Sequence, residues 1–101
     1  MRLLWSVYVL MINIYSDGCD SVSKLKYVVS LLSPDDLMIL VGDGVLNAVN
    51  TKGLLNAECD IYVLENDLTA RGLSSVKTGK IITIRQMVDL IANDLKSPVS
   101  W

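Results

Sequence analysis

The strongest nucleophiles in the chain are two cysteines, Cys19 and Cys59, set far apart and outside any C-x-x-C spacing. Such a pair builds no disulfide framework, and a reducing cytoplasm is the expected compartment. The sequence contains no histidine. Ser-His-Asp and Cys-His pairs, imidazole acid–base chemistry and most zinc sites are therefore excluded, and neither a metal nor a cofactor is expected. Cys19 follows an apolar segment, where helix-start amides favour a thiolate, but Asp17 and Asp20 flank it and oppose that charge. An incidental loop cysteine is the better reading, with Cys19 kept as a weak catalytic candidate. Phosphatase chemistry of the low-molecular-weight type needs an arginine six residues after the cysteine, and Leu25 and Glu65 stand there instead. Cys59 directly precedes a strand-like run and reads as packing.

Other residues with chemical potential also have plain structural readings. Gly42-Asp43-Gly44 is not a dinucleotide loop, because Asn47 takes the place of the third glycine. A turn with Asp43 as helix cap explains it. Arg71 is suited to an anion or a partner carboxylate. It also stands four residues after Asp67, where an exposed ion pair is expected. Met11, Met38 and Met87 read as core filling.

The elements that must position these residues alternate along the chain. Residues 3–15 form an apolar run after Arg2, too short for a spanning helix, which needs about 20 apolar residues. Val7, Tyr8, Val9, Ile12, Ile14 and Tyr15 give it strand character. Val22, Leu25, Val28, Val29 and Leu32 recur on one helix face, with Asp20 as cap and Pro34 as stop. Residues 37–41 form a second strand, continuous enough in hydrophobicity to be covered on both faces. Val45, Leu46, Ala48 and Val49 suggest a short helix. Residues 60–64 are a third strand, followed by a short helix capped by Asn66 or Asp67 and stopped at Gly72. Ile81-Ile82 is a fourth strand. Thr83-x-x-Gln86 reads as a capping box with Ile82 and Met87 as its staple, ahead of a stripe through Ile84, Met87, Val88, Ile91 and Leu95.

This order predicts one small α/β domain over the whole chain, a three-layer sandwich. It has a mostly parallel sheet of four to five strands and helices on both faces. Ligands and partners of such sheets meet the loops at the strand C-terminal ends. Those loops are residues 16–20, 42–44 and 65–71.

Composition bears on partners. The chain has 101 residues, 51% hydrophobic and only 20% charged, with 9 Lys+Arg against 11 Asp+Glu. No basic footprint for direct nucleic-acid binding is present. The apolar excess points to a subunit interface, and no membrane association is expected.

The segments Leu40-Val41-Gly42-Asp43-Gly44-Val45-x-x-Ala48-Val49, Ile61-Tyr62-Val63-Leu64-x-x-Asp67-Leu68-x-Ala70-Arg71-Gly72 and Met87-Val88-Asp89-Leu90, with Trp101, resemble the DsrH/TusB family over residues 11–101. The resemblance implies the small DsrE/DsrF/DsrH-type α/β fold and a cytoplasmic hetero-oligomer that relays persulfide sulfur. That relay leads either to 2-thiolation of the tRNA wobble uridine or to sulfur oxidation. It implies TusC- and TusD-like (DsrF- and DsrE-like) partner subunits, a small sulfur-carrier protein, and a non-catalytic role for this member, with homo-oligomers conceivable for the chain in isolation. Asp43, Gly44, Asp67, Arg71, Gly72 and Trp101 are then structural or interface positions. Where some DsrH proteins carry a cysteine in the first helix, the matching position here is near Val28, so Cys19 does not inherit that role. A persulfide-carrying Cys19 remains the alternative. Residues 1–10 lie upstream of the resemblance, and Met11 is an alternative start.

Overall fold

The computed structural model describes residues 11–93 and 98–101. Five strands, β1 (Ile12–Tyr15), β2 (Leu37–Leu40), β3 (Asp60–Leu64), β4 (Lys80–Ile82) and β5 (Val99–Ser100), form one sheet in the order β4-β3-β2-β1-β5. Every pairing is parallel. The helices are α1 (Val22–Leu31), α2 (Glu65–Ala70) and α3 (Ile84–Ala92), and 3-10 turns occupy Cys19–Ser21, Gly42–Ala48 and Thr51–Leu54.

The direction of travel across the sheet explains the layers. The chain moves from β1 through β2 and β3 to β4 in one direction, then returns past the whole sheet to place β5 beside β1. Right-handed crossovers put connections made in opposite directions on opposite faces. Accordingly, α1 and α2 send Leu25, Val28, Val29 and Leu68 into one core with Tyr15, Met38, Leu40 and Val63. Helix α3 instead packs Met87, Leu90 and Ile91 against a second core of Ile12, Ile39 and Ile82. Side chains alternate across a strand, so Met38 and Leu40 belong to the first core while Leu37, Ile39 and Val41 belong to the second. Coverage on both faces is why β2 reads as an unbroken apolar run.

The expected α/β class, the parallel sheet and the helices on both faces are all present. Several local expectations are corrected. The described part of the first strand is Ile12–Tyr15, and Val7, Tyr8 and Val9 lie outside the described residues, as does Leu95. Asp20 does not cap α1, whose N-cap is Ser21 without a side-chain bond, because a 3-10 turn intervenes. Neither Asn66 nor Asp67 caps α2, which starts one residue after Leu64. Asp43 is not a cap either, since Val41 precedes its 3-10 turn. The Thr83 capping box does form, with Gln86 N donating to Thr83 Oγ1 at 3.1 Å and Thr83 N to Gln86 Oε1 at 2.8 Å.

Strand β5 is a short edge whose register depends on polar side chains. Trp101 N donates to the Ile14 carbonyl at 2.9 Å. Its indole Nε1 donates to Asn13 Oδ1 at 3.0 Å. Asn13 is buried, and its Nδ2 reaches the carbonyls of Leu37 at 3.3 Å and Met11 at 3.4 Å. A polar residue inside β1 is thereby satisfied, and Trp101 fastens the chain end against the first core.

Candidate functional site

The loops at the C-terminal ends of β1, β2 and β3 meet at one end of the sheet. Gly44 is the closest point of contact: a Cβ there would lie 2.3 Å from the Tyr15 carbonyl oxygen and 3.2 Å from Ser16 Cα. Only glycine permits the turn after β2 to lie against the end of β1. Asn47, buried in that same turn, donates through Nδ2 to the carbonyls of Asp17 at 2.9 Å and Gly44 at 3.1 Å. The first loop is thus tied to the second by backbone acceptors.

A second set of bonds ties the β2 loop to α2. Asp67 Oδ2 accepts from Gly42 N at 2.7 Å. Arg71 donates through Nε and Nη2 to Asp43 Oδ1 at 3.0 and 2.8 Å, and through Nη1 to the Asp67 carbonyl at 2.9 Å. The expected side-chain ion pair between Asp67 and Arg71 does not form. The Asp67 carboxylate is turned to the Gly42 amide, so the guanidinium takes the Asp43 carboxylate and the helix carbonyl instead. Arg71 is held in place because α2 ends in a Schellman motif. Leu73 N bonds the Leu68 carbonyl at 2.9 Å and Gly72 N that of Thr69 at 3.0 Å, with Gly72 at φ +72°. Leu68 and Leu73 meet in the first core beneath it.

Cys19 stands apart from this latch. It opens the 3-10 turn Cys19–Ser21 and is partly exposed. Burial and then the Asp20 carboxylate push its thiol pKa above the ordinary value. Of the two flanking aspartates, Asp17 is engaged elsewhere, in an ion pair with Lys24. The Lys24 ammonium also sits 5.7 Å from the centre of the Tyr15 ring. Tyr15 is fully buried at the end of β1, and its hydroxyl has no hydrogen-bond partner among the described residues. Burial first, then Asp17 and Asp20, raise its pKa, so it stays protonated. Cys59 lies at the other end of the strands, buried in the first core, where burial likewise raises its pKa. Met38 belongs to the first core and Met87 packs on the second, as filling.

The structure therefore brings Asp43, Gly44, Asp67, Arg71 and Gly72 into one unit and leaves Cys19 at its margin and Trp101 at the chain end. Sequence reasoning missed Asn47 and Gly42. Their signal was a polar residue three positions after Gly44 and a glycine facing a future helix acid, legible only once the loops were known to touch. Among the described residues no group of three or more His, Cys, Asp or Glu side chains is arranged to hold a metal ion. Among the same residues, no helix is long and apolar enough to cross a membrane.

A five-stranded parallel sheet with its loops latched by Asp-Gly-Val and Asp-Leu-x-Ala-Arg-Gly segments defines a small α/β domain whose loops are tied together at one sheet end. The family model described as "DsrH like protein" matches residues 20–97, and the chain belongs to that family. It is similar to Protein TusB of Escherichia coli strain K12, 36% identical over 77 residues that span 70% of this chain and 80% of the relative. Protein TusB of the E. coli Crooks strain is 38% identical over 72 residues, 67% of this chain and 75% of its own. The solution NMR structure of Protein Tm0979 from Thermotoga maritima superposes with a TM-score of 0.67 at 25% identity, covering 85% of this chain and 97% of that one.

Proposed function

We propose that this chain is a non-catalytic subunit of a cytoplasmic persulfide-relay complex that serves 2-thiolation of the tRNA wobble uridine. It assembles with TusC- and TusD-like subunits and helps form the surface that a small sulfur-carrier protein approaches. Membership of the DsrH family and similarity to TusB proteins support the relay reading. The observation that carries the non-catalytic role is the state of Cys19. A persulfide carrier attacks the outer sulfur of a donor as a thiolate. Here burial and Asp20 both hold the proton on sulfur, and the cation nearest in sequence, Lys24, is paired with Asp17. Arg71 cannot assist, because its guanidinium is spent on Asp43 and the Asp67 carbonyl. The latch itself suits a subunit whose task is to hold loops in shape for a neighbour.

Co-expression with TusC- and TusD-like chains, followed by a labelled-sulfur transfer assay, tests this. A stable complex is expected, with transfer unchanged in Cys19→Ser. Loss of transfer with assembly intact, accompanied by one added sulfur at Cys19 in the mass spectrum of the wild type, would replace this reading with a persulfide-carrying one. Failure to form any complex would remove the subunit role.

A further inference from the structure

The outer side of the first face carries an open groove. It lies between Lys26, Val29 and Ser30 of α1 and Lys52, Gly53 and Leu55 in and just after the Thr51–Leu54 turn, and its volume is about 230 Å³. The turn can seat against the helix because residue 53 is glycine. A Cβ there would lie 2.6 Å from Leu25 Cδ2 and 3.0 Å from Leu25 Cγ. Leu25 and Leu54 are both buried in the first core beneath, so packing fixes the groove before anything binds. A preformed site loses little conformational freedom on binding.

Its walls combine one sign of charge with apolar surface. Lys26 and Lys52 are exposed, and among the described residues neither ammonium has a hydrogen-bond or ion-pair partner. No carboxylate lines the groove, although the whole chain carries 11 Asp+Glu against 9 Lys+Arg. Two other cavities differ in this respect, one being lined by Asp60 as well as Lys80 and the other by Glu65. Leu55 stands 72% exposed at the groove, and Tyr27, about one turn before Ser30, is 62% exposed beside it. A segment that carries carboxylates around an apolar side chain satisfies both features at once, because it covers Leu55 and meets two unpaired ammoniums. Nucleic acid would require a longer track of positive charge. The remaining lysine of α1, Lys24, is already paired with Asp17.

We infer that the groove between α1 and the Thr51–Leu54 turn docks an acidic segment of a partner protein, which sets an apolar side chain against Val29 and Leu55 and its carboxylates on Lys26 and Lys52. The inference stands on the shape and charge of the groove and not on the sulfur-relay reading.

An NMR titration of the nitrogen-15-labelled full chain tests it, with a capped pentapeptide of alternating glutamate and leucine as the probe. Saturable shifts are expected at the amides of Lys26, Ser30, Lys52 and Leu55, and added salt should weaken them. Lys26→Glu and Lys52→Glu should each lower the affinity about fivefold, since an attraction becomes a repulsion. Lys77→Glu makes the same change of net charge at an exposed position outside the groove, and should leave the affinity within about twofold. Thermal melts check the fold of each variant, and Leu55→Ser, also expected to weaken binding, replaces any that fails. Absence of shifts at these four amides overturns the inference. So do equal shifts from the lysine–leucine counterpart of the peptide, tighter binding of an oligouridylate at the same amides, or a Lys77→Glu effect as large as that of Lys26→Glu. No relay partner takes part in the titration, so failure here leaves the relay reading standing.

Discussion

The two faces of the sheet are built to different standards. On the first, α1, α2 and the 3-10 turns enclose a core in which Tyr15, Leu25, Val28, Met38, Leu40, Val45, Ala48 and Val63 are completely buried. On the second, α3 alone among the described helices lies over the sheet, none of its residues is buried, and Ile14, Leu37, Val41 and Tyr62 remain partly open. One face is finished within the chain, while the other keeps apolar surface in contact with water. Monomeric proteins rarely leave such surface contiguous. The difference places most of the chain's own stability on the first face.

Truncation separates the faces most sharply. Leu25→Ala on the first face is expected to cost about 3 kcal/mol, the middle of the range for a fully buried leucine. Val88→Ala on the second is expected to stay within about 0.5 kcal/mol for the isolated chain, as exposed substitutions do. Urea titration of both variants checks this, and equal losses would erase the distinction between the faces.

A smaller effect is expected at the latch between the β2 loop and α2. Arg71→Ala removes an ion pair whose Asp43 partner is 66% exposed, so the pair itself contributes little. It also leaves the Asp67 carbonyl without its donor. A loss of about 1 kcal/mol follows, and faster amide exchange should be confined to the β2 loop and the end of α2. Exchange spreading into α3 would show that the two faces are coupled.

The smallest expected effect concerns Cys19. Its folded-state pKa is raised, so the neutral thiol persists to higher pH than in the unfolded chain. The stability this contributes is present below the unfolded value and is lost as pH rises through the folded one. Alkylation of folded protein near neutral pH should therefore lag behind that of unfolded protein, and Asp20→Asn should narrow the gap a few-fold. Faster labelling of the folded thiol would contradict the reading of the first loop.

Much of this architecture was legible in the residues. The run through β2, the α1 periodicity and the Thr83-x-x-Gln86 box each follow from local chemistry, and the Asp-Gly-Val and Asp-Leu-x-Ala-Arg-Gly segments carried the family. Asp20 was misread because a 3-10 turn precedes α1, and the capping roles of Asp43 and Asp67 were misread for one shared reason. Each is a short carboxylate near a helix start, and local spacing cannot reveal a distant competitor such as the Gly42 amide or the Arg71 guanidinium. Strand β5 escaped notice because Val99 and Ser100 carry too few residues for any period, and their pairing rests on Asn13 and Trp101, far apart in sequence.

The sequence by itself determined the alternation of strands and helices, hence a parallel sheet, and its lack of histidine removed imidazole chemistry outright. Periodicity and residue type act over a few positions, so they are readable wherever they occur. Only the tertiary structure decided which carboxylate meets Arg71, why residue 44 must be glycine, and that α3 leaves Ile84 and Val88 uncovered. Those outcomes depend on which distant segments compete for one donor, one gap or one face, and only the folded chain brings the competitors together.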